Sequence, residues 1–91
     1  MTLDTLPMCI TNHWQMGDIL NRGVYNSLLA KANEAIAARD RGQIKTAINI
    51  LHAFIDEVSE LRSKQITDTG VTHMIMNAAL SIYCIVDLPS I

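Results

Sequence analysis

Apolar positions recur every three or four residues over three long stretches of the chain, and that period predicts three α-helices. In the first, from residue 21 or 23 to 41, Tyr25, Leu28, Leu29, Ala32, Ala35 and Ile36 share a face, with Ser27, Lys31 and Glu34 opposite. Its many alanines favour helix and admit a neighbouring helix closely. Gly42 follows, where a helix end wants a left-handed residue. In the second, residues 43–63, Ile44, Ala47, Ile48, Leu51, Ile55 and Val58 form the stripe, with Leu61 extending one edge. Phe54 falls inside that apolar arc and His52 at its boundary, about 100° from the centre. The link between these helices is so short that they must run antiparallel, as an αα-hairpin.

The third helix starts at Thr67 or Asp68 as N-cap. Val71, Ile75, Ala78, Ala79, Ile82 and Val86 match the hairpin, while Met76, Leu80 and Tyr83 make a second stripe at i, i+4, i+7. His73, Asn77 and Ser81 form a narrow polar strip. A helix apolar on two faces needs two covers. One is the hairpin; the other is the N-terminal segment with Leu6, Met8, Ile10 and Trp14, a second copy of the chain, or a different protein. Residues 1–20 show no clean period: Pro7 is expected to interrupt an early helix, Asn12 to cap a short helical turn, and Gly17 and Gly23 to bracket a hinge. The expected fold is all-α: an αα-hairpin plus a third helix (a three-helix bundle) over 21–91, with segment 1–20 packed on it.

Composition adds a reason to look for a partner. The chain has 91 residues, 49% hydrophobic and 18% charged, where a soluble domain carries about 25% charged residues. Mean hydropathy is +0.21. One domain of this size has a thin core, often supplemented by self-association. Net charge is −2 and the ions are scattered, so no basic cluster supports nucleic-acid binding. The longest apolar run, residues 74–86, contains Asn77 and is shorter than the ~18–20 residues that span a bilayer. The N-terminus carries no basic-then-apolar leader, which makes the chain as it stands cytoplasmic, or extracellular if it is a module of a secreted protein. Cys9 and Cys84 read as buried thiols, with pairing across the fold as the alternative in an oxidising compartment.

Chemistry is sparse. His13, His52 and His73 fall in different elements without metal-ligand spacing, no glycine-rich phosphate loop occurs, and the carboxylates of "DEVSE" (56–60) suit an exposed helix face. No enzyme, cofactor or metal is expected. The start of the first helix, where unpaired N–H groups favour anions, makes Arg22 and Tyr25 the candidate contacts for a small anionic ligand.

"NSLLAK", the interhelical "RG" before "AIN", the run "AINILHAFIDEV" and the "SKQIT" that leads into the third helix resemble the FIMAH domain, a small helical module of secreted bacterial enzymes and surface proteins. The resemblance covers residues 23–83. It implies a compact bundle of three helices with a non-catalytic accessory role, keeps Phe54 as a packing residue, and transfers no functional residue. The third helix departs from the pattern: "MIMNAALSIYCIV" is greasier than the family's polar-and-alanine helix. The function expected is protein–protein interaction or self-assembly through the third helix, with Met76, Leu80 and Tyr83 as contacts. The alternatives are an accessory module of a larger secreted bacterial protein, and a small stand-alone phage or bacterial inhibitor or ligand-sequestering protein.

Overall fold

A computed structural model describes residues 3–86; residues 87–91 at the end of the expected bundle, and the side chain of Val86, lie outside the described residues. The described chain is all-helical. A 3-10 turn (Leu3–Thr5) leads into α1 (Leu6–Gln15), followed by α2 (Arg22–Asp40), α3 (Ile44–Glu60) and α4 (Asp68–Val86).

The N-terminal segment corrects the expectation most. Pro7 does not interrupt a helix but sits in the first turn of α1, where the N–H it lacks would have had no partner anyway. Asn12 is therefore inside the helix and caps nothing. Leu3, Leu6 and Ile10 are buried in the common core. Gly17 has a defined local role. It ends α1 with φ +84°; its N–H donates to the carbonyl of Trp14 (3.2 Å) and that of Asp18 to His13 (2.9 Å), the paired bonds of a Schellman turn. Gly42 ends α2 the same way, with φ +79° and bonds from Gly42 to Arg39 and Gln43 to Ala38, both 2.9 Å.

The α2–α3 hairpin packs Leu28, Ala32, Ala35 and Ala38 against Ala47, Leu51, Phe54 and Val58, all fully buried. The centre of the α3 face thus runs through Phe54, and Ile55 is only half-buried. His52 is exposed. Lys31 donates to Glu57 Oε1 (2.8 Å) and to Ser27 Oγ (3.2 Å), and Ser27 donates to the same carboxylate, tying the hairpin along its rim. α3 stops at Glu60, short of the expected 63. The following loop pairs with the loop after α1: Leu20 N–H donates to Gln65 O (2.7 Å) and Thr67 N–H to Asp18 O (2.9 Å), around the buried Ile19 and Ile66.

α4 closes the core with Val71, Met74, Ala78 and Ile85. Its buried face is rotated from the one expected: Ile75, Ala79 and Ile82 are half-buried, and two of the three supposed polar-strip residues, Asn77 (3% exposed) and Ser81 (0%), are inside. The reason is α1, which packs beside α4 and covers that flank. Ser81 stays satisfied by donating to the carbonyl of Asn77 one turn back (2.7 Å), as serine does inside a helix.

Candidate functional site

α1 and α4 together form one side of the molecule, and it differs from the hairpin side in charge. From Leu6 to Gln15 and from Thr69 to Val86 there is no Asp, Glu, Lys or Arg. The hairpin carries Lys31, Glu34, Lys45, Asp56, Glu57 and Glu60 among others. The large apolar side chains that reach solvent follow the same division. Among the described residues they are Met8, Met16, Leu20, Met76, Leu80 and Tyr83, all on α1, the loop after it, or α4.

The second stripe of α4 is therefore uncovered: Met76 is 48% exposed, Leu80 41% and Tyr83 69%. The N-terminal segment, one of the expected covers, spends Leu6 and Ile10 on the core, while Met8 (66% exposed) points away from it. Scattered apolar side chains on a surface mean little, but these three follow one another at helical spacing on one face of α4.

An open groove of about 390 Å³ runs between α1 and α4, lined by Met8, Cys9, His13, Met16, His73 and Asn77 together with Thr5 and Asn12. His13 and Met16, at one end of the groove, belong to the last turn of α1, which the Schellman turn closes. Gly17 turns the chain back so that Asp18 follows His13 in space, and His13 Nδ1 donates to Asp18 Oδ2 at 2.7 Å. Thr67 Oγ1 donates to the other oxygen at 2.9 Å and accepts the N–H of Gly70 at 3.2 Å, which makes Thr67 the N-cap of α4. Gly70 is needed here: a Cβ would sit 3.0 Å from Asp18 Cβ and 3.2 Å from Ile66 Cγ2. The hydrogen bonds from His13 first, then Thr67, hold the Asp18 carboxyl below its usual range. His73 lies over His13, ring centroids 5.2 Å apart.

Sequence spacing did not reveal this cluster, because its members come from α1, two loops and α4. The legible trace was "MGD", a glycine and a carboxylate following His13 at a helix end. The cluster does not assemble an activated nucleophile. Burial pushes the Cys9 thiol up, against a partly offsetting hydrogen bond with Asn77, whereas a reactive cysteine needs a depressed pKa. Among the described residues, no three His, Cys, Asp or Glu side chains converge to hold a metal ion, and no helix is long and apolar enough to cross a membrane. Both cysteines are free, and Cys84 is exposed rather than buried.

Arg22 and Tyr25 lie three residues apart in the first turn of α2. Asn21 Oδ1 already accepts from the N–H groups of Gly23 (2.7 Å) and Val24 (3.3 Å). Tyr25 stacks on Trp14, centroids 5.1 Å apart at 11°, and its hydroxyl shares a 3.2 Å hydrogen bond with Thr11. It is the staple between α1 and α2; Arg22 is exposed. No protein-family model, no curated protein and no solved structure matches the chain.

Proposed function

We propose that this protein is a non-catalytic assembly module that pairs with a second copy of itself through the α1/α4 side, with Met76, Leu80 and Tyr83 at the centre of the contact. The scaffold in this reading is a three-helix bundle of α2, α3 and α4, with the N-terminal segment packed on it and widening the contact face. The observation that carries it is the exposed apolar stripe lying in the layer of residues 6–15 and 69–86, which contain no Asp, Glu, Lys or Arg. An ion-free surface offers nothing to a charged partner, whereas a second copy presents the same face and desolvates no ion on pairing. Interfaces between like subunits are the more apolar kind. Met adapts its shape and Tyr combines apolar area with a polar tip, which suits both to a contact surface. The layer also lacks the basic residues that draw an amphipathic face to an anionic membrane. The resemblance of residues 23–83 to the FIMAH domain supports a non-catalytic helical module.

The test is solution mass by light scattering over a hundredfold range of concentration. Self-association predicts a rise from 10.1 kDa towards twice that value. Leu80→Asp, alone or with Met76→Asp, is expected to weaken the pair by about tenfold or more, as truncating a central interface residue does, with helical circular dichroism unchanged. A monomer at every concentration, or an unfolded Leu80→Asp chain, would defeat the reading.

A further inference from the structure

The α1/α4 side also carries imidazole side chains. Imidazole is the side chain whose ordinary titration falls between pH 5 and 8, and in α1 and α4 the imidazoles are His13 and His73. His13 is buried (4% exposed) and clamped to Asp18. His73 is exposed, one turn before Asn77 and beside Met76 on the rim of the apolar stripe.

Among the described residues, the titratable groups facing His73 are few. From α1 comes His13, 5.2 Å away. From the loop after α1 comes Asp18, which feels His73 electrostatically. On its own helix, Asp68 lies at the start, 3.9 Å from Arg62. The rest of the groove lining around it is Thr5, Met8, Cys9, Asn12, Met16 and Asn77, none of them a charged side chain. The Asp18 carboxylate accepts from His13 on one oxygen and from Thr67 on the other. His73 is exposed, so its ring nitrogens reach solvent.

We infer that the self-association proposed above is switched by pH through His73, the neutral imidazole permitting pairing and the protonated one opposing it. This rests on the reading of the α1/α4 side as a self-association surface. Covering the stripe removes water from its rim, and an unpaired charge is costly to strip of water. The separate protomers then bind more protons than the pair does. The dissociation constant accordingly rises as pH falls, by up to about tenfold per pH unit for each His73 involved. A symmetric pair contains two.

Sedimentation at pH 7.5 and 5.5, with circular dichroism on the same samples, tests this on the full chain and on His73→Gln. Gln keeps a polar, uncharged side chain and leaves His13, Asp18 and Thr67 in place. The wild-type chain is expected to pair at least about tenfold more weakly at pH 5.5, and His73→Gln to change by less than about twofold, both with full helicity. Wild-type pairing that ignores pH, a drop that persists in His73→Gln, or helix loss at pH 5.5 in both chains would overturn the switch while leaving self-association standing. No pairing at either pH would instead strike the self-association itself.

Discussion

The residue that binds the most elements together is Asp18. Its two oxygens join the end of α1, through His13, to the start of α4, through Thr67. Hydrogen bonds to a charged group are worth about 1.5–3 kcal/mol each, so Asp18→Asn is expected to destabilise the chain by roughly that amount at pH 7. The sign with pH follows from the lowered pKa. The stabilisation is complete above the ordinary carboxyl range near pH 4 and fades as pH falls through the lower folded-state value. Urea titrations from pH 7 to 3 should show the wild-type advantage over Asp18→Asn shrinking to little at the acid end. A constant gap would mean the carboxylate charge is not what the cluster uses. Asp4 is also held low, by its hydrogen bonds from Arg39. Its side chain is 65% exposed, and such a surface pair contributes little.

At the scale of elements, the two left-handed glycines decide where helices end and where the chain goes next. Gly42 turns α2 into α3; Gly17 turns α1 and thereby delivers Asp18 to His13. A Cβ at Gly42 would meet nothing within 4 Å, so the penalty for substitution is conformational rather than steric. Gly42→Ala is therefore expected to lower stability by about 1–2 kcal/mol, the cost of left-handed backbone for an L-residue, measured as a shift in the urea midpoint at unchanged slope. The same change at Gly17 also puts the Asp18 contact under strain. Its penalty should exceed that at Gly42 and should shrink in an Asp18→Asn background.

For the whole molecule the question is whether α1 is an arm or a wall. Ile10 is fully buried in the shared core, and Tyr25 stacks on Trp14 across the α1–α2 boundary. Ile10→Ala is expected to cost about 2–5 kcal/mol, as for a buried aliphatic side chain, and to shift one cooperative transition of the entire helical signal. Were α1 an arm, the substitution would lower a separate minor transition and leave the main one in place. The proposed association through the α1/α4 side depends on this result, because a detached α1 would leave no groove and a different rim around Met76.

The periodic pattern by itself determined three helices, the hairpin between α2 and α3, the turn at Gly42 and the burial of Phe54. It also marked Met76, Leu80 and Tyr83 as a face apart from the core. These are local matters: a 3.6-residue period, a short link and a glycine with few alternatives. Tertiary structure alone decided that residues 6–15 are a helix, since Pro7 and a weak period hide it until the core is there to bury Leu6 and Ile10. It decided that Asn77 and Ser81 lie inside, because a polar side chain on a helix reads as outward until a neighbour covers it and a hydrogen bond satisfies it. And it assembled His13, Asp18, Thr67 and His73, whose proximity comes from two loops pairing through Ile19 and Ile66. Contacts between residues 49 positions apart, such as Asp18 and Thr67, leave no periodic trace, because the chain's local energetics do not depend on them.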